Sequence, residues 1–189
     1  VEQIKRPYSY LRTYERFPKQ VSLWDKEGKS LETLAELPLA EQVPINGVRT
    51  GPRSHQWKPT APATLFWVEA LDDGGTYRQV PHHDRVMTKV PGAMPKEIFK
   101  TRHRFARFDW IEDGRALVTD VDRDAHRMTT DLVDFDQPAI SPRRVWDRST
   151  DDRYSLPGAP QYHVLPSGKP AVRLQKGAIF LAGPGPSRR

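Results

Sequence analysis

FDWIEDGRALV, residues 108–118, sets two short apolar runs on either side of one acidic turn. Trp110 closes the first run, Glu112-Asp113-Gly114 supplies a turn whose glycine can adopt positive φ, and Ala116-Leu117-Val118 opens the second. That is the pattern of a β-hairpin. It recurs on both sides. Trp57 precedes a proline-containing turn and then Ala63-Thr64-Leu65-Phe66-Trp67, while Tyr162-His163 precedes Pro166-Ser167-Gly168 and then Ala171-Val172-Arg173-Leu174. Trp57, Trp110 and His163 follow one another at steps of 53 residues. A constant step near the roughly 40 to 50 residues of a four-stranded blade points to a radial β array, a β-propeller, and away from a sandwich.

The composition agrees with short strands. The 189 residues are enough to bury a core, apolar residues make up 37% of them, and the 18 prolines fall mostly between apolar runs, which disfavours long helices. There are 30 Lys and Arg against 24 Asp and Glu, a formal charge of +6. The two signs are interspersed as on an ordinary solvated surface, so no nucleic-acid partner is expected. The absence of cysteine excludes a disulfide frame and a thiolate metal site. No apolar run has the length that crosses a bilayer as a helix, and no membrane partner is expected. The start, VEQIKRPYSYL, reads as neither a signal peptide nor an amphipathic targeting helix. As it lacks Met, a preceding segment is expected to have been removed or to lie outside this chain.

Residues 1–38 read as the outer strands of an incomplete blade. Within them, 8–14, 20–24 and 30–37 are expected strands, Lys26-Glu27-Gly28-Lys29 a turn, and Val21, Leu23, Leu31 and Leu34 the core. Apolar residues in 31–37 also fall at i, i+3 and i+6, as in a short helix, but the repeat context favours a strand. Residues 39–53 read as an interblade loop, rich in proline and glycine. Residues 54–104 form a blade with strands at 54–57, 65–69, 84–89 and 97–100, and residues 105–149 a second, with strands at 105–110, 116–120, 128–135 and 144–146. A linker spans 150–160, the start of a further blade 161–183, and a tail with nothing to pack 184–189. The fold class is all-β: a partial β-propeller of about two complete and two incomplete four-stranded blades, a fragment of a larger propeller. An arc of this kind leaves two sheet edges to be covered.

The segments KRPYSYL (5–11), YERFPKQVSLWD (14–25), KSLETLAELPLAEQVPI (29–45), GVRTGPRSHQWKPTAPATLFWVEALDDG (47–74), HDRVM (83–87) and WDRSTDDRYSLPG (146–158) carry a family resemblance over nearly the whole chain. It resembles the N-terminal propeller of prolyl oligopeptidase family serine peptidases, and within that family it is most similar to the bacterial and chloroplast glutamyl endopeptidases. The resemblance implies a propeller of roughly seven blades that caps an α/β-hydrolase domain and restricts which peptides reach its active site. The family's serine, aspartate and histidine belong to that later domain, and no residue here matches them. The nucleophile needs G-x-S-x-G, whereas Ser54 sits in GPRSH, Ser167 in PSGKP and Ser187 in GPGPSR. No catalytic residue and no cofactor is therefore assigned.

Several clusters imitate sites. Asp120, Asp122, Asp124 and Asp131 have the spacing of a calcium loop, but Ala125 stands where the loop needs glycine and Asp131 where it needs a bidentate glutamate. A solvated hairpin accounts for them better. His82 and His83 are adjacent, and neighbouring side chains of an extended chain point to opposite faces, so no shared metal is assigned. His163 reads as a packing residue at the position of Trp57 and Trp110, and His55, His103 and His126 lack ligand spacing. RHRFARF, residues 102–108, mixes cations with rings as single-strand RNA binders do, yet an alternating blade strand explains it better. Trp24, Trp57, Trp67, Trp110 and Trp146 read as core between blades. Arg49 and Arg53, on the interblade loop, are the substrate-binding candidates. A peptide glutamate would meet a bidentate guanidinium there, set against a structural pairing with Glu41 or Asp72.

These readings lead to a non-catalytic propeller portion of a serine peptidase, with a peptide substrate and the parent's α/β-hydrolase domain as partners. The alternative is a stand-alone propeller-type interaction scaffold that adds a partner's strand to an open blade edge.

Overall fold

The computed structural model describes residues 1–44, 46–75 and 78–183; the tail expected at 184–189, with Ser187, lies outside them. Every regular element described is a strand except one 3-10 turn, Tyr14–Arg16. Strands β1 (Glu2–Ile4), β2 (Lys19–Trp24) and β3 (Ser30–Leu37) form a three-stranded antiparallel sheet. Strands β4 (Arg53–Trp57), β5 (Leu65–Ala70), β6 (Asp84–Lys89) and β7 (Lys96–Thr101) form a four-stranded antiparallel meander. A second meander follows with β8 (Arg104–Trp110), β9 (Ala116–Asp122), β10 (Arg127–Val133) and β11 (Arg143–Ser149). Short strands close the described chain: β12 (Ala159–Pro160), β13 (Tyr162–Val164), β14 (Pro170–Val172), β15 (Leu174–Gln175), β16 (Ala178–Ile179) and β17 (Leu181–Ala182), paired as β13 with β14, β15 with β16 and β12 with β17. This is the all-β class of a partial β-propeller, a run of small antiparallel sheets without a closed barrel.

The sheets stack because their strands are apolar on both faces. On β5, Leu65 and Trp67 join Met87 of β6 and pack against Leu23 of β2 and Leu34 of β3. The alternate residues, Phe66 and Val68, join Val86 and face Phe105, Phe108, Trp110, Ala116, Val118 and Val133 of the second meander. On β9, Leu117 points the other way, to a third cluster with Ile111, Val145 and Val172. Period-two alternation with both faces buried makes each meander the filling between its neighbours in sequence. Aromatic edges tighten the middle layer: the Phe66 ring stands edge-on to Trp110 at 4.8 Å and near Phe135 at 5.2 Å. Polar ties reinforce the same order. The Trp110 indole donates to Gln56 Oε1 (3.2 Å), Lys58 Nζ meets Asp136 (2.6 Å), and the Tyr162 hydroxyl reaches Asp109 (2.6 Å).

The hairpin that organises the sequence is present. Ile111 N donates to Arg115 O (2.8 Å), Gly114 N to Ile111 O (3.0 Å), and Gly114 has φ of 92°. The same turn recurs at residues 165–169, where Leu165 N donates to Lys169 O (2.9 Å) and Gly168 has φ of 77°. It recurs again at residues 25–29, with Asp25 N donating to Lys29 O (3.0 Å) and Gly28 at 84°. The shared turn corrects one equivalence. Trp110 pairs with Ala116 and Val164 with Pro170, so Val164, not His163, stands where Trp110 stands. His163 sits one residue earlier, with Nε2 2.5 Å from Glu112 Oε2, which is a polar contact and not the packing position expected of it.

Other expectations shift for local reasons. The first strand is β1 and not residues 8–14. There, Pro7 offers no amide to a ladder and Ser9 Oγ takes the Leu11 amide (3.1 Å), which competes with strand pairing. Residues 30–37 are a strand, with Val21 and Leu23 buried. Leu31, however, is 56% exposed, because the β2–β3 register shifts between Leu23 and Trp24 and leaves Leu31 as the extra residue of a bulge. Trp67 and Trp110 are buried, but Trp24 and Trp57 end their strands at hairpin mouths and stay over a third exposed.

Replacing Phe66 by alanine should remove the ring that joins the two meanders and lower stability by about 3–5 kcal/mol, read by urea denaturation. A loss below about 1 kcal/mol would mean the ring is not at a packed interface.

Candidate functional site

The apolar stack ends in a polar seam where β4, β6 and β8 begin and β5 ends. Asp72 lies in the LDDGG turn after β5 and caps it, its Oδ1 accepting the Gly74 amide (3.1 Å). Its other oxygen meets His83 Nδ1 (2.7 Å) and Arg104 Nη2 (2.5 Å). Asp84, the first residue of β6, is fully buried. It accepts from Arg104 Nη1 (2.6 Å) and from the Phe105 amide (2.6 Å), and Arg53 Nη2 lies 2.8 Å away. Two carboxylates and two guanidiniums thus neutralise one another out of water, which each would find costly alone. Burial pushes the Asp72 carboxyl up, but the hydrogen bonds from Arg104 and His83 and their charges prevail and hold it below the usual range.

The two substrate-binding candidates fall on either side of this seam. Arg53 opens β4, and burial pushes its guanidinium down while Asp84 pulls it up. Arg49 reaches back across residues 15–38: Nη1 donates to the Glu15 (3.3 Å) and Phe17 (3.4 Å) carbonyls, Nη2 to the Pro38 carbonyl (2.6 Å). Burial pushes it down, against the charge of Glu2. Both guanidiniums are engaged within the chain. The structure does not bring them together on one ligand, and neither forms the pair with Glu41 or Asp72 weighed as the structural option.

Beside the seam lies an open cleft of about 670 Å³ between the meanders. Its lining includes Arg78, Arg102, His103, Asp122, Arg123 and Asp124, with Arg104 as part of the wall. These residues come from the loop before β6, the β7–β8 junction and the β9–β10 turn, so successive sheets each contribute a wall. Among the described residues Arg102 has no partner, and Arg123 holds only the side-chain oxygen of Asn46 (2.8 Å). Arg78 pairs with Asp73, both largely exposed. The His83 and His103 rings stack at 6.4 Å, and His103 Nδ1 lies 3.4 Å from Asp122. The sequence marks Arg102 only as part of a mixed cation and ring run. The further signal was position: Arg78, Arg102 and Arg123 all flank the expected strand ends that share Asp72's side of the sheets.

The calcium-like spacing does not converge. Asp120 accepts the His103 amide (3.1 Å) and the Thr129 hydroxyl, Asp122 caps the Ala125 amide (3.0 Å), and Asp131 is taken by Arg144 (2.5 Å). With Asp124, all four belong to the β9–β10 hairpin and its strands; Asp124 is exposed as a solvated hairpin requires, whereas Asp120 is buried. His82 is exposed while His83 points to Asp72. Ser167 donates to the Pro59 carbonyl (3.1 Å), and Ser54 sits in β4 with no imidazole partner among the described residues.

Two known proteins align with most of this chain. The protein named "Probable glutamyl endopeptidase, chloroplastic" of Oryza sativa subsp. japonica is 38% identical over 166 residues, which cover 85% of this chain and 18% of that protein. Its namesake in Arabidopsis thaliana is 36% identical over 165 residues, 84% of this chain and 17% of that protein. The chain is homologous to part of the glutamyl endopeptidases. It spans under a fifth of the length of these curated relatives. No family model and no solved structure matches it.

Because Asp72 is held below its ordinary value, it stabilises the fold above about pH 4 and that contribution disappears as pH falls through the lower folded value. Urea midpoints between pH 6 and pH 2 should therefore drop less in Asp72→Asn than in the parent chain. An equal drop in both would assign the acid sensitivity elsewhere.

Proposed function

We propose that this chain is the non-catalytic propeller portion of a serine peptidase related to glutamyl endopeptidase, and that it gates and orients peptides for a separate α/β-hydrolase domain. The observation that carries the reading is the identity of 36–38% along 84–85% of the chain to proteins several times longer that carry the glutamyl endopeptidase name. The chemistry points the same way. G-x-S-x-G is absent from the sequence, and Ser9, Ser155 and Ser167 hold a turn amide, a carboxylate and a carbonyl. Acyl transfer through a serine, a histidine base and an oxyanion hole would then come from the other domain.

What these residues supply on this reading is shape. Successive sheets, proposed as the blades 54–104 and 105–149 flanked by partial ones, hold loops at a common end. Those loops leave a cleft wide enough for an extended peptide and too polar to trap an apolar ligand. Arg49 and Arg53 stay the substrate-binding candidates on this reading: each makes contacts inside the chain, yet Arg49 Nε and both terminal nitrogens of Arg53 are buried without a hydrogen-bond partner.

The purified 189-residue chain, incubated with glutamate-containing peptides and a fluorophosphonate probe for reactive serines, should give neither turnover nor labelling. Steady hydrolysis accompanied by labelling would overturn the proposal.

A further inference from the structure

The loop before β4 carries one reactive dipeptide. Asn46 is the only asparagine in the 189 residues, and Gly47 follows it. Each suits its place for a structural reason. Asn46 is exposed with φ of 63°, a left-handed conformation that asparagine tolerates better than most residues. Gly47 lies against the LDDGG turn, where a Cβ would come within 2.6 Å of the Gly74 carbonyl oxygen. Backbone shape alone therefore favours asparagine before glycine here. The pairing has a chemical consequence: with no side chain in the way, the glycine nitrogen has access to Cγ of the residue before it.

A contact from the second meander acts on the carbon that would be attacked. Asn46 Oδ1 accepts from Arg123 Nη1 (2.8 Å) on the β9–β10 turn, and neither side chain makes another hydrogen bond among the described residues. A guanidinium on an amide oxygen draws electron density out of the carbonyl and stabilises the oxyanion that forms when Cγ becomes tetrahedral. It also favours the product, since a carboxylate in place of the amide gives Arg123 the charged partner it lacks. One contact opposes the reaction. Gly47 N donates to Pro44 O (2.9 Å) and has to leave that bond before it can attack, and bonds in exposed turns are among the first to open.

We propose that Asn46 is a self-modification site, which loses its side-chain amide to attack by the Gly47 nitrogen while Arg123 polarises the amide oxygen. The bond from Gly47 N to Cγ forms, the bond from Cγ to Nδ2 breaks, and ammonia departs with the Gly47 amide proton. Solvent water then opens the cyclic imide. Cleavage of its bond to Cγ leaves aspartate, and cleavage of its bond to the backbone carbonyl carbon of residue 46 leaves isoaspartate. Either product carries a carboxylate where the unmodified chain has a neutral amide. The loop before β4 and the β9–β10 turn are then joined by charge. The inference is independent of any peptidase role.

Intact-mass spectrometry with peptide mapping tests it on the full 189-residue chain, kept folded at mildly alkaline pH and sampled over days. The chain should gain the mass difference between an amide and an acid, mapped to residue 46, and Asn46→Gln should lose that gain. Arg123→Ala should slow it about fivefold, less than loss of a donor costs in a water-excluded oxyanion hole because this contact is exposed. Arg123→Lys, which keeps a cationic donor, should recover part of the rate, and Lys26→Ala, on a remote exposed turn, should leave it unchanged. A folded chain that gains no mass while the urea-unfolded chain does, or a gain that maps elsewhere, overturns the site. A rate in Arg123→Ala equal to or above that of the parent chain overturns the part given to Arg123.

Discussion

Strand β5 has no solvent face, and the architecture follows from that. A strand with one apolar face can lie on the outside of a two-layer domain; LFWVEA presents Leu65 and Trp67 to one side and Phe66 and Val68 to the other. Both sides then need a sheet. The preceding strands supply Leu23 and Leu34, the following ones Phe108, Trp110 and Val118, and β9 repeats the demand by turning Leu117 toward Val172. Sheets joined in this way follow chain order like pages, and each is secure only with its neighbours present. Fully burying one large apolar side chain contributes roughly 1.5–3 kcal/mol, so each of these faces outweighs any single exposed ion pair in the molecule.

The apolar stack cannot close its own ends, where loops carry unpaired amides. Asp72 and Asp84 do that work. One oxygen of Asp72 holds the turn that follows β5, and one oxygen of Asp84 holds the amide that starts β8. The remaining oxygens bind Arg104 from the second meander, so the seam joins the sheets at the edge where rings no longer reach. Gly74 shows how tight this corner is: a Cβ there would lie 2.0 Å from the Val48 carbonyl oxygen. Beside this compact, neutral seam, Arg123 reaches only the Asn46 side-chain oxygen and Arg102 has no partner among the described residues.

The sequence carried most of the strand plan because the signal was local. Alternation and a positive-φ glycine lie within single hairpins, and the four expected strands of each meander match within a few residues. What it hid was register. A bulge displaces Leu31 from the core, and one extra residue before the third turn moves the equivalent of Trp110 from His163 to Val164. The same five-residue turn at 25–29 went unrecognised as a repeat because it lies outside the 53-residue step. Charge pairing was less legible still. Arg53 finds Asp84 and Arg49 finds backbone carbonyls, contacts set by how loops fold back and not by any spacing along the chain.

Homology to a short portion of much longer glutamyl endopeptidases and a stack of open-edged sheets are the two findings on which the proposed scaffold role rests. Its physical premise is that consecutive sheets bind through their apolar faces as one unit. A double-mutant cycle between Phe66 and Trp110, whose rings meet edge-on at 4.8 Å, measures this directly by denaturant unfolding. The account predicts a coupling of about 0.5–1.5 kcal/mol between the two truncations. Strict additivity, within about 0.3 kcal/mol, would contradict it and leave the sheets as independent neighbours.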